Sequence, residues 1–171
     1  DALLSNRTRH QVVDNLTSEK ILAGEVSYLL RDPEFKGRLT AFYTDFKDQL
    51  NNITFYLDTD QTFGNFTTNG IGKRHIGIEG GFEKKINTRI SLNFAGSIGQ
   101  FIYTTRPIAT ITYDNSTLQT QQTVYYKNYY VTGMPQTAGT VGFSYNSSRY
   151  WFFNVNFNYF ANHYVEMNPL R

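Results

Sequence analysis

The sequence predicts an all-β protein, an antiparallel up-and-down transmembrane β-barrel segment of about six strands. Three observations carry this expectation. Apolar and polar residues alternate with period two along several stretches, and nowhere with the helical period. The connections between those stretches are alternately short and long. Aromatic residues gather beside the short connections, where an interfacial girdle belongs.

Composition narrows the classes. The 171 residues carry a net charge of +2, too small for a surface that tracks phosphates, so nucleic acid is not expected as a partner. Cysteine is absent, which removes disulfides and thiolate metal ligands. Aromatics make up 16%, with Tyr and Phe far ahead of Trp, a bias toward strands. No window approaches the run of about 18 apolar residues needed by a membrane helix. Helical spanning is thereby excluded and strands are left open, because alternation averages hydropathy away.

Residues 1–18 are polar and unperiodic and read as loop. The first strand sets Leu22, Gly24, Val26, Tyr28 and Leu30 against Ala23, Glu25 and Ser27, and the turn chemistry of Asp32-Pro33-Glu34 ends it. The second sets Leu39, Ala41 and Tyr43 against Arg38, Thr40, Phe42 and Thr44. With Pro33 and Glu34 as loop residues, Tyr28 pairs with Leu39 and Val26 with Ala41, so the apolar faces coincide; a slip of one residue would separate them.

A polar and aromatic connection near 49–68 is expected to extend both flanking strands as a hairpin beyond the membrane. The third strand places Ile76, Ile78, Gly80 and Phe82 opposite His75, Gly77, Glu79, Gly81 and Glu83. A short turn near 84–88 leads to Ile90, Leu92, Phe94 and Ile98, set against Ser91, Asn93, Ala95, Ser97 and Gly99. A second long connection, near 103–130, is rich in Thr, Gln and Tyr. The fifth strand sets Val141, Phe143 and Tyr145 against Gln136, Ala138, Thr140, Gly142 and Ser144, and a turn near 146–149 opens the sixth. There Trp151, Phe153, Val155, Phe157 and Tyr159 alternate with Asn154, Asn156 and Asn158.

In a barrel the large apolar residues face lipid and the amides face the lumen. Glu25, Arg38, Glu79 and Glu83 fall on the lumen side, which spares them the roughly 2–4 kcal/mol that Arg or Lys costs at the bilayer midplane. The short turns are assigned to the periplasmic rim, Trp151 to the periplasmic interface and the two long loops to the outside. An even number of strands puts both ends of the chain at the long-loop rim, and about six strands fall below the roughly eight needed for closure, so a segment of a larger barrel is expected. Two other readings stay open. A self-contained carbohydrate- or peptide-binding β-sandwich accounts for the last strand alone nearly as well, and a small passive outer-membrane barrel would need both ends at the short-turn rim.

Several stretches, in order, carry a family resemblance: EKILAGEVSY (19–28), FYTDFKD (42–48), NGIGKRHIGIE (69–79), KNYYVTGMPQTA (127–138), and the last strand running into MNPLR (167–171). Together they resemble the C-terminal half of the barrel in TonB-dependent outer-membrane receptors. The resemblance implies a plugged barrel of about 22 strands in the bacterial outer membrane that imports a scarce nutrient with energy delivered through TonB. It implies as partners the lipid bilayer, a small nutrient ligand, TonB through an N-terminal part that this sequence lacks, and an extracellular lipoprotein. Without the plug and the TonB box, neither gating nor energy coupling falls on any residue here. The ligand class stays open among siderophore, haem, cobalamin, glycan and peptide.

No catalytic constellation emerges, and neither an enzyme nor a cofactor is expected. GIGKRHIGIEGG (70–81) spaces its glycines like a phosphate loop but lacks the Lys-Ser/Thr of one, and reads as close-packed strand. His10, His75 and His163 lack ligand spacing, so no metal site is expected. Glu79 and Glu83 share a strand face and read as structural lumen charges. The ligand-binding candidates are Phe55 and Tyr56 in the first long loop and Arg106, Tyr113, Tyr125, Tyr126 and Tyr129 in the second. Tyr offers a ligand an apolar face and a polar tip; packing of the loops themselves is the competing use for the same residues.

Overall fold

A computed structural model describes residues 3–5, 10–12, 17–58, 61–115 and 119–165. Every regular element among them is a strand. β1 (Leu3–Ser5) and β2 (His10–Val12) pair antiparallel as a sheet of their own, inside the stretch that reads as loop. Strands of three residues are too short for alternation to reveal. Residues 167–171, which close the resemblance, and parts of 1–18 lie outside the described residues.

The remaining strands form one antiparallel sheet of eight. They are β3 (Lys20–Arg31), β4 (Phe35–Leu57), β5 (Thr62–Lys85), β6 (Ile90–Tyr103), β7 (Ile108–Tyr113), β8 (Gln119–Thr123), β9 (Pro135–Asn146) and β10 (Phe152–His163). The main path runs β10-β9-β6-β5-β4-β3, an up-and-down meander that does not close on itself, and β7 and β8 branch from β5. Tyr28 pairs with Leu39 and Val26 with Ala41, the register that the coincidence of apolar faces requires. The tight turns are built by side chains. Asp32 Oδ1 accepts the Glu34 amide at 3.0 Å, and Asn87 Oδ1 accepts the Arg89 and Ile90 amides, each at 2.8 Å.

Successive hydrogen-bonded partners lay out rows across the six main strands. One row reads Phe157, Val141, Phe94, Phe82, Gly37 and Leu30 from β10 to β3. The neighbouring row, on the opposite face, reads Asn156, Gly142, Asn93, Glu83, Lys36 and Arg31. In these two rows period-two alternation keeps one face apolar and the other polar across all six main strands; elsewhere Lys84 falls on the apolar face, and Leu29, Phe42, Phe101 and Phe160 fall on the polar one. Nothing among the described residues covers the apolar face: Val26, Ile98 and Phe157 are 78%, 69% and 66% exposed. A sandwich would need a second sheet there. Apolar surface of this extent needs an apolar partner, and hydrocarbon is the one that a strand meander meets in a membrane.

Toward the far rim the apolar face ends at the register pair Asp45 and Arg74, with Lys47 Nζ 3.6 Å from Asp45 Oδ2. At the short-turn rim, aromatic rings meet: Phe35 stacks on Phe82 at 5.9 Å between centroids, and Tyr145 meets Trp151 at 5.2 Å. On the polar face Arg38 reaches Glu25 at 3.5 Å and donates to Ser27 Oγ at 3.3 Å and Thr40 Oγ1 at 3.0 Å. Thr40 is itself bonded to Ser27 at 2.9 Å. Arg38 and Glu25 stay more than half exposed, so the pair forms with little desolvation.

Beyond the Asp45–Arg74 row the sheet changes direction. Between the pairs Phe46–Lys73 and Gln49–Ile71, β4 carries one extra residue; between Gln49–Ile71 and Asn51–Thr68, β5 carries one. Two opposed bulges restore the register while bending both strands. Asp48 (φ 59°) and Gly70 (φ 78°) hold the left-handed backbone that the bends require, the second at a residue for which it is unstrained. Thr105 Oγ1 donates to the Gly70 carbonyl at 2.9 Å and accepts the Gly72 amide at 2.7 Å, fastening the bend to the segment after β6. The spaced glycines of GIGKRHIGIEGG thus serve the bend and the strand rather than a phosphate.

Candidate functional site

Past the bend, β4 and β5 run on as an arm. β5 exchanges partners there: residues 73–85 pair with β6, whereas 64–69 pair with β7, and β7 pairs with β8. The long 103–130 connection therefore contains a hairpin that the sequence reading did not assign. Its signal is weak, because Gln119–Thr123 has no apolar position. One face of the arm has its own core of Phe66, Ala109, Ile111, Val124 and Tyr126, with Phe55, Tyr103 and Tyr113 packed against it. The other face carries hydroxyls and amides and ends at the Tyr56–Phe63 pair. Thr54 Oγ1 donates to Asn65 Oδ1 at 2.7 Å, and Thr67 Oγ1 to Asn52 Oδ1 at 3.0 Å, between direct cross-strand partners.

The candidate residues separate into two groups. Phe55, Tyr113 and Tyr126 pack the arm, and Tyr126, 9% exposed, lies 4.9 Å from Tyr103 between ring centroids. The others look outward. Tyr56 is half exposed and edge-on to Phe63 at 4.9 Å. Arg106 sits over the ring of Tyr125 at 5.6 Å, and Tyr125 is 67% exposed. Tyr129 is exposed beside a stacked pair, Tyr130 and Tyr164, whose rings are 4.5 Å apart and 7° from parallel. Tyr129 is fixed by its backbone, which donates to the Tyr126 carbonyl and accepts from the Tyr103 amide, both at 2.9 Å.

In the crook between arm and barrel wall lies a cleft of about 350 Å³ that sequence reasoning missed. Glu19, Gln49, Lys73, Tyr103 and Tyr126 line it together with Ile71 and Val131. Lys73 and Tyr103 are register partners on the polar face, one position beyond the end of the apolar band. Lys73 Nζ stands over the Tyr103 ring at 5.7 Å. Burial pushes the Lys73 ammonium below its ordinary value, and the Glu19 carboxylate pulls it partly back. Gln49 donates its amide to Glu19, while its Oε1 is buried and has no hydrogen-bond donor among the described residues. These residues are spread over most of the chain and meet only because the two bulges swing Gln49 and Ile71 inward, which no spacing rule anticipates.

Further down the same face, Phe46, His75, Phe101 and Phe42 form a ring ladder, with successive centroids 5.1, 4.7 and 6.3 Å apart. Among the described residues no group of three or more His, Asp or Glu side chains is placed to hold a metal ion. The arrangement offers a stacking and hydrogen-bonding surface at one rim of a two-faced wall.

No curated protein and no solved structure matches the chain. A family model does, the one described as TonB dependent receptor-like, beta-barrel, and it matches residues 3–169. That span takes in the six-strand meander, both bulges and the arm, so the chain belongs to the β-barrel family of TonB-dependent receptors.

Proposed function

We propose that the protein is a nutrient-uptake receptor of the bacterial outer membrane, in which this segment is part of the wall of a plugged barrel of about 22 strands. The family consists of outer-membrane transport receptors and not of enzymes. In this reading the apolar face meets lipid, the polar face lines the lumen, the tight turns lie in the periplasm and the arm stands outside. A scarce ligand is captured at the arm, passes down the lumen once the plug moves, and the step is driven through TonB bound to a part of the receptor beyond this segment. Capture falls to Tyr56, Arg106, Tyr125 and Tyr129, whose rings and guanidinium are presented to solvent, while Phe55, Tyr113 and Tyr126 hold the arm that presents them.

The single observation that carries the reading is the face-to-face sorting of the rows, which holds across all six main strands. The test is growth and uptake. Cells lacking the receptor are expected to lose TonB-dependent import of one scarce nutrient and to regain it with the wild-type gene. Restoration should be incomplete with Arg106→Ala/Tyr125→Ala. Unchanged import of every nutrient by the deletion strain would contradict the proposal.

A further inference from the structure

We infer that the crook cleft is a binding site for one neutral, polyhydroxylated ring, a sugar residue in chemical class, at the mouth of the lumen. The inference rests on the uptake reading above and names the ligand chemistry for it.

Three features of the cleft select this chemistry. The first is its polar complement. Lys73 supplies N–H donors and has no carboxylate within ion-pair distance among the described residues. Gln49 Oε1 is an acceptor that no described donor satisfies, and Glu19 adds a second acceptor on the same wall. A hydroxyl donates and accepts at once, so adjacent hydroxyls on a ring can satisfy Lys73 and Gln49 together. An anion would meet Lys73 but set its oxygens against Gln49 Oε1 and Glu19. A cation would reverse the conflict. The opposite charges of Lys73 and Glu19 offset one another, which leaves the site close to neutral.

The second feature is aromatic. Tyr103 and Tyr126, whose rings lie against one another 4.9 Å apart between centroids and 31° from parallel, make an apolar side to the cleft with Ile71 and Val131 beside those polar groups. The C–H face of a sugar ring packs on such a surface while its hydroxyls point sideways. The third is size and place. About 350 Å³ lies at the small end of ligand pockets and suits one sugar ring with the water around it. The bend residues Asp48 and Gly70 fix the cleft where arm and lumen wall meet, so a ligand seated there touches both.

The experiment uses the intact receptor in detergent micelles, titrated calorimetrically with a set of neutral mono- and disaccharides (glucose, galactose, mannose, xylose, maltose, cellobiose) and with citrate as an anionic probe. At least one saccharide is expected to bind at millimolar concentration or below. Gln49→Leu and Lys73→Met are each expected to weaken it by about tenfold, the loss of one well-made hydrogen bond, and citrate is expected not to compete. Heat-modifiable gel migration reports folding of each variant; should Gln49→Leu fail to fold, Lys73→Met decides. Binding of no saccharide overturns the inference. So does saccharide binding unchanged in the folded variants, and so does Lys73-dependent citrate binding that displaces the sugar. The uptake reading is judged separately, by import in the deletion strain: import lost on deletion without any effect of the cleft variants leaves uptake standing and removes the cleft.

Discussion

The Asn156 Oδ1 atom of β10 lies 2.6 Å from the point where a side chain on Gly142 of β9 would begin, and the Asn93 amide nitrogen of β6 closes on the same point at 3.6 Å. Two amides from opposite neighbours thus roof one glycine, and a side chain placed there must push the Asn156 amide aside. Gly142→Val is expected to destabilise the folded barrel by about 1–3 kcal/mol through overpacking. Gly139→Ala, whose new carbon would meet nothing closer than 3.8 Å, should cost far less. Urea unfolding of the receptor in micelles, followed by tryptophan fluorescence, measures both.

The two faces should respond oppositely to charge. Ile78 and Ile98 are register partners on the apolar face, and Glu79 and Ser97 form the next pair, on the polar face. Ile78→Arg is expected to cost about 2–4 kcal/mol, the depth-dependent cost of an arginine facing hydrocarbon, and Ser97→Arg much less. Comparison of folded yield and urea midpoint for the two variants checks the sign.

The arm hangs on its bend. Gly70→Ala places a side chain at φ 78° and is expected to cost about 1 kcal/mol or more. Thr105→Val removes both the donor to the Gly70 carbonyl and the acceptor of the Gly72 amide. Hydrogen exchange at the Gly72 amide should accelerate in either variant, with exchange in 76–82 unchanged.

The arm core should be energetically separate from the barrel wall. Phe66 is 1% exposed among Ala109, Ile111, Val124 and Tyr126, so Phe66→Ala is expected to cost the arm about 3–5 kcal/mol. Heat-modifiable migration of the barrel should persist, while amide protection in 62–69 and 108–113 falls. Collapse of the whole barrel would show that wall and arm fold as one unit.

Much of the wall was legible in the sequence because a sheet with two solvents writes its register into its residues. Tyr28 opposite Leu39, Glu25 and Arg38 on one face, and the Asn row of the last strand all follow from period two and a turn at Pro33-Glu34. The arm was not legible. Its core draws Val124 and Tyr126 from a segment without regular structure, and β8 is a run of Gln and Thr with no apolar side to read. The cleft was hidden for a different reason. Each extra residue at Asp48 and Gly70 shifts the alternation by one, so a strict period-two reading puts Gln49 and Ile71 out of step with one another, although the structure pairs them. Of the loop aromatics, composition alone did not separate Tyr126, which packs, from Tyr125, which is presented on Arg106.

The central claim is that successive residues of one strand meet two different solvents, and single-cysteine scanning of β10 tests it most directly. The segment contains no cysteine of its own to compete. Bimane-labelled cysteines placed singly at positions 153 to 158 in the receptor, reconstituted in bilayers with and without brominated lipid, should give a period-two pattern. Phe153, Val155 and Phe157 positions should be quenched by bromine and shielded from an aqueous quencher, and Asn154, Asn156 and Asn158 positions the reverse. Uniform quenching along the strand, or the opposite phase, would contradict a barrel wall with this face toward lipid.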